Sequence, residues 1–303
     1  MPIPLAYFGV VLIWSTTPLA IAWSVDAAGF VFGISSRMIL GTFLALTFAT
    51  MMGAKMVWHQ KAILAYIFGG LGIYGGMMCV YWASQYIPSG WVSLLFGLTP
   101  IFSALMASLW LEGELITKYR ITGMLSGLCG LIFIFGSSLN LNQTAFFAVC
   151  GVLLSGLIHS ASAVWIKRVH AQIPALTMTA GSLLVSSPLF LITWILTTDG
   201  FQQTIEEVSV APNYAVASIL YLALFGSVLG FALYYYVLKH VEATRVALIS
   251  LLTPITSLML GHYLNHEAIT LNIYLGAAFI ITGLAIFELG GKPLPKWIPF
   301  RPN

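Results

Sequence analysis

Arg37 is the residue with the most distinctive chemistry, because it lies in an apolar stretch, 30–52, with no other Lys, Arg, Asp or Glu. An arginine at the centre of a membrane helix costs about 2.5–3.5 kcal/mol on insertion scales, so its presence there indicates a cavity or a partner. Its guanidinium suits a carboxylate, sulfonate or phosphate, which accept paired hydrogen bonds. Alternatively, it lies roughly 10 Å from the nearer end of the stretch, and its long side chain reaches the interface.

Tyrosines supply a second group of candidates for contact with a small molecule. Tyr74 and Tyr81 share one helical face, and Tyr235 occupies the position that matches Tyr81 in the second half of the chain. Aromatic rings with hydroxyl groups suit an amphipathic or zwitterionic metabolite better than an inorganic ion. The alternative is that these rings face lipid or the interface, as most aromatic side chains of such a chain do.

Two further apolar stretches carry polar or aromatic candidates. Trp14, with Thr17 beside it, could form one wall of a binding site, and His159 shares a helical face with Ser162. A neutral histidine could donate a hydrogen bond to a substrate or carry a proton. Alternatively, His159 simply hydrogen-bonds a neighbouring helix. The sequence contains no paired carboxylates, metal-ligand spacing or phosphate-binding motif, so we predict no catalytic residues, no metal and no cofactor.

The elements that position these residues must lie in lipid. Of the 303 residues, 59% are hydrophobic and 7% are charged, against about 25% charged in soluble domains. This composition excludes a cytosolic enzyme, a nucleic-acid binder and a disordered chain. Runs of about 20 apolar residues predict ten transmembrane helices. They lie at approximately 4–22, 30–52, 62–84, 89–111, 119–136, 144–167, 174–197, 213–238, 243–264 and 271–289.

The distribution of positive charge predicts the orientation. If the N-terminus is cytoplasmic, every Lys and Arg except Arg37 falls in an inner connection or the C-terminal tail. Because positive charges near span ends resist translocation, both termini are predicted to be cytoplasmic. Trp91, near a span end, is predicted to be an interfacial anchor.

The second half of the sequence repeats the first. Thr99-Pro100 recurs as Thr253-Pro254 and Gly76 as Gly230, each 154 residues later. Each unit has five spans, which is an odd number, so the second unit enters the membrane from the face opposite to the first. This inverted arrangement is typical of secondary transporters. Pro100 and Pro254 lie near mid-span, where proline frees a backbone carbonyl, so we predict helix kinks that line a cavity. Simple packing kinks are the alternative.

Acidic residues recur at the ends of the predicted spans as well. Glu114 and Glu267 each stand three residues before a threonine, Thr117 or Thr270, that opens a span. We interpret the threonines as helix N-caps and give the acids a structural role near positive helix ends.

The motifs around these residues are similar to those of a known family. The segments Trp14-Ser15-Thr16-Thr17-Pro18, GLTPIFSALMASLWLEGELIT, LYYYVLKHVEATRVALISLLTPITSL and GAAFIITGLAIF resemble the EamA-type ten-helix permeases of the drug/metabolite transporter superfamily. The resemblance implies a two-fold pseudosymmetric bundle in which spans 1–4 and 6–9 surround a central cavity and spans 5 and 10 are peripheral. It also implies a permease of the bacterial inner membrane, in many cases an exporter of amino acids or other metabolites.

The sequence therefore predicts an all-α integral membrane protein with two inverted five-helix repeats, 1–138 and 139–303, around a central cavity. The predicted function is a secondary transporter that exports a small organic metabolite by alternating access, as a monomer or homodimer. Its partners are the substrate and the lipid bilayer, and no nucleic acid. Nutrient uptake is the alternative, since the scaffold runs in either direction with the gradient. A membrane-embedded enzyme acting on lipid-linked substrates is a further alternative, although the catalytic clusters that it needs are missing.

Overall fold

Helices joined by short connections make up the secondary structure. The structure, a computed structural model, describes residues 2–110, 117–197, 201–230, 233, 236–237 and 243–290. The helices, in chain order, are α1 (Ile3–Ser24), α2 (Gly29–Met51), α3 (Gln60–Ala83), α4 (Ser89–Phe96), α5 (Thr99–Trp110), α6 (Lys118–Leu141), α7 (Gln143–Val169), α8 (Ala175–Thr197), α9 (Phe201–Ser209), α10 (Asn213–Tyr221), which continues as the π-helical segment Leu222–Leu229, α11 (Ala243–Asn265) and α12 (Leu271–Leu289). The prediction of an all-α fold is confirmed for the described residues.

Eight helices among the described residues are long and apolar enough to cross a membrane. They are Ile3–Ser24, Gly29–Met51, Gln60–Ala83, Ser89–Trp110, Lys118–Gly136, Gln143–Val169, Ala175–Thr197 and Leu271–Leu289. Each coincides with a predicted span, and the chain is a multi-pass membrane protein. The two other predicted spans contain α10 with the π-helical segment, and α11. We call the end of the bundle where α1 and α3 end and α4 begins the outer end, following the charge prediction.

The helices form a closed ring, which can be followed from neighbour to neighbour. Starting at α1, the ring passes through α10 with its π-helical segment, α2, α8, α3, α7, the α4–α5 pair and α11, and then returns to α1. Polar side chains join neighbours inside it: Ser35 Oγ donates to Phe190 O at 3.0 Å, and Thr42 Oγ1 to Leu183 O at 3.3 Å. The ring brings helices from both halves of the chain around one interior.

Helices α6 and α12 pack against each other beside the ring. Gly123 and Gly130 of α6 lie against the backbone of Gly283 and Gly276 of α12, with no room for a methyl group at these positions. Small residues allow such close approach between membrane helices, where packing and polar contacts replace the hydrophobic effect. Ser126 Oγ adds a hydrogen bond to Phe279 O at 2.7 Å.

The helix starts follow the capping rules in part. Thr270 and Thr117 accept hydrogen bonds from the backbone N–H three residues later, both at 3.4 Å, as predicted for N-caps. Glu114 lies outside the described residues. The expectation for Trp91 is wrong: its side chain is 3% exposed and lies in the main buried cluster. The reason is that α4, as a member of the ring, packs against α1, α7 and α11, which cover its sides.

Candidate functional site

A cavity of about 480 Å³ lies inside the ring. Small-molecule sites typically occupy about 300–1,000 Å³, so this space fits a metabolite. Most of its wall is apolar and includes Trp14, Pro18, Ile21, Met77, Val80, Val92 and Phe96. Its polar groups are few and come from several helices: Thr17, Arg37, Ser93, Thr99, Ser103, His159 and Thr253. An apolar wall with a few convergent polar groups is the usual form of a binding site for an organic ligand.

Arg37 is the charged group of this wall. It is 3% exposed, and it donates hydrogen bonds from Nε to Ser227 Oγ and from Nη1 to Tyr81 Oη, both at 3.3 Å. These partners are neutral hydroxyls, so among the described residues no carboxylate compensates its charge. A guanidinium has more N–H donors than two hydroxyls can use. Because a buried unpaired charge is costly, the arrangement favours an anion in the cavity.

The π-helical segment positions the hydroxyl that orients Arg37. Ser227 Oγ donates to Leu222 O, five residues back, at 3.1 Å, and accepts from Arg37 Nε. A methyl group on Gly226 would lie 3.2 Å from Arg37 Nη2, so the backbone of the segment approaches the guanidinium closely. Short π-helical turns are rare and often mark functional sites.

A second cluster of polar side chains surrounds the break between α4 and α5. Pro100 cannot donate to the carbonyl of Phe96, and Thr99 Oγ1 satisfies that carbonyl instead, at 2.6 Å. Ser160 Oγ of α7 donates to Thr99 O at 3.2 Å and accepts from Ser103 Oγ at 3.0 Å. Counting helix rise from the outer end, Ser103 lies roughly 10 Å deeper than Arg37. The polar groups of the cavity therefore extend over a range of depths that includes both Arg37 and Ser103.

The rings of Trp14 and His159 line the cavity from helices of different halves of the chain. His159 of α7 meets the ring of Phe96 edge-on at 5.5 Å, and its Nδ1 lies 3.0 Å from Ser155 O. Since a carbonyl only accepts, Nδ1 is the donor in this contact. Gly76 leaves no space for a methyl group beside His159, and a methyl group on its sequence counterpart Gly230 would lie 3.4 Å from Trp14 Nε1, an ordinary contact distance. Each ring thus packs on an equivalent glycine.

The structure places some of the predicted site residues in the cavity wall and others away from it. The cavity wall includes Arg37, Trp14, Thr17, His159 and Pro100. Tyr81 is fully buried behind Arg37, while Tyr74 Oη bonds Thr193 Oγ1 at 2.7 Å and Ser162 Oγ bonds Phe68 O at 2.8 Å, each between neighbouring helices. Pro254 lies beside Gly97 of the α4–α5 break. Tyr235 lies outside the described residues.

Several wall residues have no place in the sequence prediction. The side of α3 that lines the cavity carries Met77 and Val80. This side is rotated about the helix axis by roughly one residue from the face that carries Tyr74 and Tyr81. Ser93, Phe96 and Ser103 were also not predicted. Thr99 and Thr253 belong to the repeated Thr-Pro pair, and that repeat was the signal that could have identified them.

A ring of membrane-crossing helices around a cavity with several polar groups is typical of membrane transporters, and known proteins share features with this chain. A solved crystal structure superimposes with a TM-score of 0.64 at 19% identity, covering 93% of this chain and 94% of that one, and shows the same fold. The EamA-like transporter family matches residues 1–136 and 146–289. The chain belongs to this family.

Two curated relatives are named as transporters. The transporter YoaV of Bacillus subtilis (strain 168) is 27% identical over 284 residues, 92% of this chain and 94% of that protein. A probable terminal-alkyne amino-acid exporter of Streptantibioticus cattleyicolor is 24% identical over 283 residues, 92% of this chain and 90% of that protein. Together with the family match, they identify this protein as a transporter.

Proposed function

We propose that this protein is a secondary transporter that exports a small organic metabolite with an anionic group, such as an amino acid or a related amphipathic compound. The observation that carries the proposal is the buried guanidinium of Arg37 in the cavity wall, whose described partners are neutral hydroxyls. An anionic group of the substrate would supply the missing negative charge. The apolar wall would hold the rest of the molecule, and Ser103 and His159 would meet polar groups at the deeper end.

The proposed architecture is ten transmembrane helices in two inverted five-helix repeats, 1–138 and 139–303, around the cavity. The family match falls in two segments, one in each proposed repeat. The hydrogen bonds from α2 to α8 support a two-fold relation. Ser35 and Leu183 are as far apart in sequence as Thr42 and Phe190, so each pair can be equivalent in the two repeats. A two-fold rotation then exchanges the contact of Ser35 with Phe190 and the contact of Thr42 with Leu183. Trp14 and His159, each beside an equivalent glycine, support it independently.

Two such halves would open the cavity to one side of the bacterial cytoplasmic membrane and then to the other, with both termini in the cytoplasm. The charge distribution supports this orientation, since the inner connections hold the Lys and Arg residues. Export is the proposed direction, in agreement with the name of the Streptantibioticus relative. The proposed substrate-contacting residues are Arg37, Trp14, Thr17 and His159, and Tyr81 would hold Arg37 in position. Tyr235 stays a prediction from the sequence.

Transport by purified protein in proteoliposomes tests the proposal. Amino acids, nucleosides, polyamines and anionic cofactors would first be ranked by thermal stabilisation, since a ligand that binds the folded state raises the unfolding temperature. For an anionic hit, Arg37→Ala is expected to lower flux about tenfold to a hundredfold, the loss of one charge-assisted hydrogen bond of about 1.5–3 kcal/mol. Arg37→Lys should retain part of the flux, because it keeps the charge without the planar fork.

The matched control is Arg168→Ala, which removes an exposed arginine whose guanidinium lies 5.1 Å from the Trp165 ring, outside the cavity wall. Its flux should equal that of the unchanged protein. Undiminished flux in a folded Arg37→Ala protein would remove Arg37 from the site. If only compounds without an anionic group stabilise the protein and cross the membrane, the proposed substrate class is wrong.

A further inference from the structure

The outer ends of three ring helices are joined by one carboxylate. Glu267, in the connection between α11 and α12, accepts hydrogen bonds from the backbone of α4: Ser89 N to Oε1 at 2.9 Å and Gly90 N to Oε2 at 3.1 Å. Asn265 Nδ2 also donates to Oε1, at 3.1 Å, and Trp23 Nε1 of α1 donates to Asn265 Oδ1 at 3.0 Å. We call these five residues the outer latch.

The start of α4 depends on this carboxylate for its capping. The N-cap position of α4 is Pro88, which makes no side-chain hydrogen bond to the helix. The first N–H groups of a helix have no partner within it, and a negative charge there also interacts favourably with the helix dipole. Most caps come from the residue that precedes the helix. Here the cap comes from the opposite end of the chain, so it joins two helices of the ring.

The backbone holds Glu267 itself in place. Glu267 N donates to Gly261 O at 3.1 Å, and His262 Nδ1 donates to Glu267 O at 2.8 Å. Gly261 has no room for a methyl group beside the carboxylate. The end of α11 is therefore fixed to Glu267, and Glu267 is fixed to the start of α4.

The latch lies at the outer end of the bundle, where the wall residues of the cavity are buried. The wall residues nearest the outer end, Ile21, Val80 and Val92, are only 2–3% exposed, whereas Phe96, Ser103 and His159, deeper in the cavity, are half-buried. Ile21 and Val92 belong to α1 and α4, two of the helices that the latch joins. Separation of these helix ends would uncover this part of the wall.

We propose that Glu267 is a positioning residue that holds the outer end of the cavity closed, and that release of its hydrogen bonds to α4 opens the cavity to the outside. The inference rests on the proposed alternating exposure of the cavity but not on any substrate. A purely structural cap would give a different result on substitution, because general loosening exposes the cavity to both sides, whereas loss of a latch exposes it to one.

Thiol labelling from each side of the membrane tests the latch. In a chain with Cys79, Cys129 and Cys150 replaced by serine, Val92→Cys reports access from outside and Ser103→Cys reports access from inside. A membrane-impermeant maleimide is applied to intact cells for the first reporter and to inside-out vesicles for the second. Glu267→Gln cannot accept both N–H groups of α4 and loses the charge, so it should raise outside labelling about threefold to tenfold, as expected for loss of a capping interaction.

Labelling from inside should fall or stay unchanged in the same variant. Glu206→Gln is the control, because it removes another carboxylate, on exposed α9, and should leave both rates unchanged. If Glu267→Gln does not accumulate as folded protein, Asn265→Ala removes the connection between Trp23 and Glu267 and should raise outside labelling by a smaller factor.

The two proposals fail in different ways. Outside labelling of folded Glu267→Gln or Asn265→Ala at the control rate, or an equal rise from both sides, overturns the latch alone. If Ser103→Cys in the otherwise unchanged chain is not labelled from inside at all, the alternating exposure in the proposed function is wrong.

Discussion

The two Thr-Pro segments have nearly the same sequence, but the chain follows different paths through them. Around Thr99-Pro100 the helix is interrupted: α4 ends at Phe96 and α5 begins at Thr99. Around Thr253-Pro254 helix α11 continues without interruption from Ala243 to Asn265. The residue three positions before the proline is Gly97 in the first segment and Leu251 in the second. Proline and glycine together weaken a helix more than proline alone, and glycine contributes about 1 kcal/mol of that.

The difference allows the two segments to fit together. A methyl group added to Gly97 would lie 3.3 Å from Pro254 Cγ, so the proline of one segment occupies the space beside the glycine of the other. The interrupted segment in turn contributes Thr99, Pro100 and Ser103 to the cavity wall, while the continuous one contributes Thr253. Two similar sequences thus build two unequal walls, and Gly97 is one of the positions at which the two sequences differ.

The largest effect is expected when the segments are made alike by Gly97→Leu. The new side chain would meet Leu94 O and Pro254, at 3.0 and 3.3 Å from its first carbon, and would push α4 and α11 apart. Overpacking of this kind costs about 1–3 kcal/mol, so a lower unfolding temperature in detergent and a marked loss of transport are expected. Gly97→Ala should give a smaller change in the same direction. Unchanged stability in Gly97→Leu would contradict the role of the glycine.

An intermediate effect is expected from the hydroxyl groups of the two segments. Thr99→Val removes the donor to Phe96 O at 2.6 Å, the carbonyl that Pro100 leaves without an N–H partner, and should reduce the free energy of unfolding by about 1 kcal/mol. Thr253→Val is the matched control, because its helix is not interrupted, and it should change stability less. Denaturation in detergent measures both. Equal losses would mean that the break at Gly97 makes no special demand on Thr99.

The smallest effect is expected from the prolines themselves, and its sign should differ between the two. Pro100 is the second residue of α5, in the first turn, where proline is tolerated, and Thr99 Oγ1 already satisfies the Phe96 carbonyl. Pro254 is inside α11, where it removes an internal hydrogen bond. Pro254→Ala should therefore raise the unfolding temperature slightly. The rise should be smaller than the restored helical hydrogen bond alone would give, because the contact with Gly97 is lost. Pro100→Ala should leave the unfolding temperature unchanged or lower it. A larger rise in unfolding temperature for Pro100→Ala than for Pro254→Ala would contradict this difference between the two prolines.

The difference between the segments also indicates how far sequence reasoning reaches at this site. The repeated Thr-Pro pair identified both segments as important, but repetition alone predicts the same shape for both. The effect of Gly97 depends on its neighbour Pro254, which is distant in sequence. In the same way, Glu267 was assigned to the helix that it precedes in sequence, and it caps α4, from which it is separated by 178 residues at Ser89.

Arg37 and the tyrosines of α3 illustrate the opposite outcomes of the same reasoning. A charged residue in an apolar helix can be identified from the sequence whichever side of the helix faces the cavity, because placing the charge in lipid or in the protein interior is costly in either case. Tyr74 and Tyr81 are compatible with lipid, a neighbouring helix or a cavity, so their position on one face did not specify which of these they meet. The structure turns Met77 and Val80 toward the cavity and leaves Tyr81 as a hydrogen-bond partner behind Arg37.

The sequence by itself determined that the chain is a bundle of membrane helices, where most of these helices lie, and that Arg37, Trp14, Thr17, His159 and the Thr-Pro pairs are the residues to examine. Only the tertiary structure decided which side of each helix faces the cavity, that Gly97 receives Pro254, and that Glu267 closes the start of α4. The physical reason is that these helices are apolar on all sides, since lipid and protein interior are equally apolar surroundings. Hydrophobic periodicity therefore carries little information about rotation, which is set by contacts between residues far apart in the chain.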